Sequence, residues 1–202
     1  ILGRVCDRPC EPACRRGRVE EKPVAICRLK RVAADHKDSV VDRLPVVPKL
    51  SNGKRIACIG AGPASLTVAN DLLPLGYEVV IFEQWDKPGG LMRTNIPAFR
   101  LPETVLAEEI GYIEQMGAQI RYNSRIDSLR KLLETGGFDA VFIGSGAPKG
   151  KELKLPGRTE GGANIHIGIN WLESVAFKHL DKIGDKVLII GGGGREHALA
   201  WK

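Results

Sequence analysis

Arg55-Ile-Ala-Cys-Ile-Gly-Ala-Gly-Pro-Ala-Ser-Leu66 is the stretch from which the fold is read. Its first five residues form a short apolar run that stops at a glycine, the pattern of a buried strand. Gly60 to Ser65 then form a loop, and Leu66 to Leu75 read as a helix closed by Gly76. A second apolar run, Glu78-Val-Val-Ile-Phe82, predicts a parallel neighbour strand, and Glu83 follows it, 23 residues after Gly60. A dinucleotide site needs this order of parts. The first glycine makes the tight turn and Gly62 lets the pyrophosphate approach the backbone. The helix start offers N–H groups to phosphate, and the acid accepts from a ribose hydroxyl. Ser65 stands at the third glycine position and is still small.

Outward from this unit, residues 87–101 read as a loop and Glu103–Met116 as an amphipathic helix. Leu106, Ile110 and Ile113 share one side of that helix, and Gly117 is its stop. Ala118–Tyr122 and Asp139–Ile143 read as further strands. Lys186–Ile190 reads as a last strand running into Gly191–Gly194. The expected fold class is α/β: a Rossmann-like domain with a parallel sheet, preceded by a small helical head. The expected division is a head and linker over 1–50, a partial nucleotide-binding domain over 51–184, and the start of a second one over 185–202.

The head holds Cys6, Cys10 and Cys14, spaced C-x3-C-x3-C, with Pro9 and Pro12 between them. The prolines oppose a continuous helix and favour a loop wrapped around a ligand. Thiolate-held iron–sulfur clusters use such loops. Structural zinc is the competitor, although it more often shows C-x2-C pairs. Cys27 is either a fourth ligand or a helix residue, and Cys58 is a small core residue of the first strand. A helix follows the cysteines and is expected to end near His36, with Val24, Leu29 and Val32 toward a core. His36, His166, His179 and His197 show no ligand spacing, and no nucleophile constellation is visible, so no catalytic residue is assigned.

With 202 residues, 43% hydrophobic and 27% charged, the chain is ordinary for a globular protein. The net charge of +6 is concentrated at Arg4, Arg8, Arg15, Arg16, Arg18, Arg28, Lys30 and Arg31. Without interleaved aromatics this favours an anionic cluster or an acidic partner over nucleic acid. No apolar run approaches the ~18 residues of a membrane span, and no signal peptide is visible. Five cysteines in such a chain fit a cytoplasmic location and metal binding or packing rather than disulfides.

Taken together, the motifs resemble one family. They are Gly3-Arg4-Val5-Cys6, Pro9-Cys10-Glu11, Cys14-Arg15-Arg16-Gly17, Pro23-Val24-Ala25-Ile26, Gly60–Ser65, Pro88-Gly89-Gly90-Leu91 and Ile96-Pro97-Ala98-Phe99-Arg100-Leu101-Pro102. The family is the glutamate synthase small subunit family, with the N-terminal part of dihydropyrimidine dehydrogenase. The resemblance covers roughly residues 3–193. It implies an NAD(P)H-dependent oxidoreductase with FAD and two [4Fe-4S] clusters, working with a larger redox partner subunit. It implies FAD contacts at Gly60, Ala61, Gly62, Pro63, Ala64, Glu83, Gly90, Leu91, Arg100 and Ile126, and cluster ligands at Cys6, Cys10 and Cys14. Relatives place a Gln or Glu ligand where this chain has Lys30, and an ammonium cannot ligate iron. The family's remaining cluster cysteines are expected upstream of Ile1, and the chain is expected to be a truncated piece. A non-catalytic flavin- and cluster-binding electron-transfer module is the alternative reading.

At the other end, Gly191–Lys202 departs from the family and resembles the N-terminus of glycinamide ribonucleotide synthetase, so a hybrid or ligase-related fragment is a further alternative. Glu196 falls at the third fingerprint position there, where a small residue is needed, and it is expected to oppose nicotinamide binding by that loop.

Overall fold

The computed structural model describes residues 1–152, 156–180 and 182–191. Its centre is a four-stranded parallel sheet of β1 (Arg55–Ile59), β2 (Glu78–Phe82), β3 (Gln119–Arg121) and β4 (Ala140–Ile143), in the order β3-β2-β1-β4. β1 pairs with β2 from Arg55↔Glu78 to Ile59↔Phe82 and with β4 from Ile56↔Ala140 to Ile59↔Ile143. Both strand ends that flank the glycine loop are therefore level, and the loop leaves the carboxyl edge of the sheet at its centre.

The period of two in a strand divides the core. Ile56, Cys58, Val79 and Ile81 point to one face, where Leu66, Ala69 and Leu73 pack with Leu106, Ile110 and Met116. Those partners come from α3 (Pro63–Leu72), the 3₁₀ turn Leu73–Leu75, α5 (Glu103–Gln115) and the Met116 that caps it. Ala57, Val80 and Phe82 point to the other face, where Phe138, Ile126 and Leu132 of α6 (Leu129–Thr135) cover them. Gly76 ends the first βα unit in the left-handed conformation at φ +83°, which a side chain resists.

Before the sheet lies the head: α1 (Leu2–Val5), the cysteine loop with a 3₁₀ turn at Arg15–Arg18, and α2 (Ile26–Asp35). After the glycines 89 and 90 comes α4 (Leu91–Thr94), and α7 (Gly168–Ala176) packs beside it.

Several expectations need correction. The first helix begins at Pro63, three residues before the expected Leu66. The stretch 87–101 contains α4 rather than loop alone, and α6 and α7 were not expected. Leu29 and Val32 do not face a core; they are 60% and 55% exposed. Lys186–Ile190 is not a strand. Leu188 is 85% and Ile190 63% exposed, and no described strand pairs with them; without a ladder partner an apolar run does not become a strand. Residues 192–202, including Glu196 and most of the ligase-like stretch, lie outside the described residues.

Candidate functional site

At the carboxyl edge of β1 the chain turns through Gly60 at φ +87°, its N–H donating to the Phe82 carbonyl at 2.8 Å. A Cβ on Gly60 would lie 2.8 Å from the Gly144 carbonyl oxygen, so only glycine fits between β1 and the residue that follows β4. Ala61 is fully buried. Gly62 caps α3 in extended backbone, and Pro63 opens the helix with a φ suited to it. The Gly62, Ala64 and Ser65 amides at this helix start have no carbonyl within the helix to satisfy them, and the helix dipole adds partial positive charge there.

Glu83 sits directly beside them, only 5% exposed. One carboxylate oxygen accepts from the Ala61 N–H at 2.7 Å and the other from the Trp85 N–H at 3.0 Å. A carboxylate has about four lone-pair positions, so both oxygens keep room for hydroxyl donors. The next loop closes against the same turn. Gly89 donates to the Ala61 carbonyl at 2.8 Å, and a Cβ on Gly90, at φ +51°, would stand 3.0 Å from the Gly62 Cα. Leu91 begins α4 directly after.

Eight of the ten expected contact residues, Gly60 to Ala64 with Glu83, Gly90 and Leu91, are thus brought together at the carboxyl edge of the sheet. Ile126 packs on the lower face with Phe82, the residue before Glu83. Arg100 is engaged by the head. Its Nε donates to the Arg4 carbonyl of the head at 3.0 Å. Beyond α4, Ile96, Pro97, Ala98 and Leu101 line a cavity of about 230 Å³ with Met92, Leu106 and Leu172, and Asn95, which also lines it, has a buried Oδ1 without a hydrogen-bond partner.

Two parts of the cradle were not anticipated. Gly144 closes the loop from β4, its N–H donating to the Ile59 carbonyl at 2.9 Å. A Cβ there would collide with Ser65 Oγ, so the serine at the third fingerprint position is matched by a glycine on the facing strand. The glycines at 144 and 146 were the available signal. Trp85 also packs against Phe177 after α7, with ring centroids 5.1 Å apart and the planes tilted by 31°, a contact that no local pattern announces.

In the head, Lys30 of α2 donates from Nζ to Cys6 Sγ at 3.1 Å. The backbone amide of Arg8 and this ammonium hold the Cys6 thiol below its ordinary pKa. Amides of Val24 and Arg16 do the same for Cys14. The Cys27 N–H donates to Glu11 Oε1 at 2.9 Å, tying the first turn of α2 to the cysteine loop. Cys10 is exposed, and the buried Cys58 thiol is pushed up to about 11 by burial alone. Among the described residues no three Cys, His, Asp or Glu side chains close on one metal centre. Cys6 and Cys14 are supplied with N–H groups, and the Lys30 ammonium stands where the resemblance puts a ligand.

A family model, the NAD(P)-binding Rossmann-like domain, matches residues 58–120, which hold the glycine loop, Glu83 and the Gly89-Gly90 turn. The NADP(+)-dependent formate dehydrogenase subunit beta of Moorella thermoacetica is 35% identical over 96% of this chain and 30% of its own length. The glutamate synthase [NADPH] small chain of Mycobacterium tuberculosis is 32% identical over 96% of this chain and 42% of its own. Over nearly all of its own length this chain is similar to the glutamate synthase small chain. It spans less than half the length of either relative. Among solved structures, Mycobacterium tuberculosis FprA in complex with NADPH superposes with a TM-score of 0.50 at 21% identity, over 60% of this chain and 28% of FprA, which supports the Rossmann-like fold. No described helix is long and apolar enough to cross a membrane.

Proposed function

We propose that this glutamate synthase small subunit relative binds FAD at the Gly60 cradle and an iron–sulfur cluster at Cys6, Cys10 and Cys14, as the electron-transfer part of an NAD(P)H-dependent oxidoreductase with a larger partner subunit. The observation that carries the reading is the buried Glu83 carboxylate held on the Ala61 amide beside the start of α3, with Gly90 closed against Gly62. That arrangement puts a hydroxyl acceptor next to phosphate donors, as the ribose and pyrophosphate of a dinucleotide require. The cavity lined by Ile96, Pro97, Ala98 and Leu101, and the unpartnered Asn95 Oδ1 in its wall, favour a ligand longer than the nucleotide alone, which is what a flavin adds.

The flavin supplies the exchange between two-electron hydride chemistry and single electrons. The chain's own residues bind and orient. Gly60 and Gly62 admit the backbone close to phosphate, Glu83 holds the ribose, and the arginines of the head offset cluster charge.

The test is the purified chain reconstituted with FAD and, anaerobically, with iron and sulfide. Flavin bands with a broad shoulder near ~400 nm, and sulfide in step with iron, are expected of a flavin and iron–sulfur protein. Stoichiometric zinc without sulfide would remove the cluster. Bleaching of the flavin by NADH or NADPH separates turnover from mere binding. Glu83→Ala is expected to weaken FAD binding by about 1.5–3 kcal/mol, the worth of a hydrogen bond to a charged acceptor. FAD retention equal to wild type would show that Glu83 does not hold the ribose.

A further inference from the structure

Asn95 is oriented by a short relay that begins at the Gly90 turn. The Gly90 carbonyl, in the loop closed against Gly62, accepts from the Thr94 hydroxyl at 3.4 Å. A hydroxyl that donates its hydrogen keeps only lone pairs for its next neighbour. The side of Asn95 that faces Thr94 is therefore its amide nitrogen, which donates to Thr94 Oγ1 at 2.7 Å. Oδ1 belongs to the other side of the amide, and it is buried without a hydrogen-bond partner. Asn95 lines the cavity of about 230 Å³ together with the apolar Met92, Ile96, Leu106 and Leu172. Arg93 and Glu103 of the same wall pair with each other at 2.6 Å. A buried carbonyl oxygen without a donor is costly, so this wall suits a ligand that brings an N–H into apolar surroundings.

α4 is four residues long, capped by Gly90 at one end and Asn95 at the other. The acceptor thus follows the loop that meets Gly62 by about one helical turn. In the reading proposed above, Glu83 takes the ribose and the start of α3 the pyrophosphate. The flavin ring is the part of FAD on the far side of the pyrophosphate from that ribose. In the oxidised ring the N–H is the imide between two carbonyls, carried on a flat aromatic body that suits apolar walls. We propose that Asn95 recognises the flavin ring, its Oδ1 accepting a hydrogen bond from the ring's imide N–H. This rests on the FAD reading above. ADP has the ribose and the pyrophosphate but lacks the ring.

The experiment compares three probes by calorimetric titration of the full chain: FAD, FAD methylated at the imide nitrogen, and ADP. Wild type is expected to bind FAD about tenfold more tightly than methyl-FAD, the worth of one net hydrogen bond. Asn95→Ala is expected to bind the two flavins alike, and ADP as wild type does. Asn95→Asp, which keeps an oxygen acceptor at this position, is expected to retain the preference for FAD. Each preference is a ratio within one protein, so a general loss of stability cancels from it. Three results overturn the inference and leave the flavin reading intact. They are wild type binding FAD and methyl-FAD alike, Asn95→Ala keeping the preference, and Asn95→Asp losing it. Wild type that binds FAD no more tightly than ADP overturns the flavin reading, and the inference with it.

Discussion

Gly60 and Gly62 stand two positions apart in one loop and do different work. Gly60 is needed by the fold, because its φ of +87° and the nearby Gly144 carbonyl leave no place for a side chain. At Gly62 the φ is ordinary, and a Cβ would meet nothing nearer than the Gly144 oxygen at 4.0 Å. Gly60→Ala is therefore expected to lower the urea midpoint, whereas Gly62→Val should keep the midpoint and lose FAD, read by flavin fluorescence. A Gly62→Val protein that holds FAD as wild type does would remove the pyrophosphate from this loop. Ser65 gives a second case. It is completely buried and its Oγ has no partner. An unsatisfied buried hydroxyl costs about 1–3 kcal/mol, so Ser65→Ala is expected to raise the urea midpoint. A lower midpoint would mean that the hydroxyl is bonded after all. The glycines and Glu83 were legible in the sequence because turn, helix start and strand end fall at fixed offsets. Gly144 was not, because its role exists only once β4 lies beside β1, far along the chain.

At the scale of elements, legibility followed burial. β1 and β2 have the bounds expected of them, since strands covered on both faces are written as continuous apolar runs. α6 is seven residues long and rests on a Ser128 cap that accepts from the Lys131 N–H at 3.2 Å; its apolar residues are too few to show a period. The apolar run at 187–190 has the composition of a strand without a partner, and composition alone cannot supply one. The cysteine stretch was legible as a loop, because Pro9 and Pro12 oppose a continuous helix. The lysine on Cys6 was not, because it depends on how α1 and α2 pack. These surroundings predict a thiol order. Cys6 and Cys14 have thiols held below the ordinary pKa, so at pH 8 more of each is thiolate, while Cys58 is buried and pushed up to about 11. In the metal-free chain at pH 8, iodoacetamide is expected to label Cys6 and Cys14 well before Cys58, with all five cysteines labelled in urea; peptide mapping by mass spectrometry reads the order. Early labelling of Cys58 would contradict the packing of β1.

Across the whole molecule, the head and the cradle are joined by more than the covalent linker. Arg100, in the loop that follows the Gly90 turn and α4, bonds the Arg4 carbonyl two residues before Cys6. Lys37 at the end of the head pairs with Glu108 of α5 at 2.9 Å, and its ammonium stands 5.1 Å from the centre of the Tyr112 ring. Val46 and Leu50, between head and sheet, are 87% and 86% exposed. A protease should find that stretch first, and both ties lie on residues that a cut there would leave in separate fragments. Such a nicked chain is expected to run as two bands on a denaturing gel and as a single peak of unchanged volume in gel filtration. Two peaks would show that the contacts are too weak to hold the pieces together. For anyone preparing the protein, the practical meaning is that a column profile cannot certify an uncut backbone: the broken molecule would pass as whole.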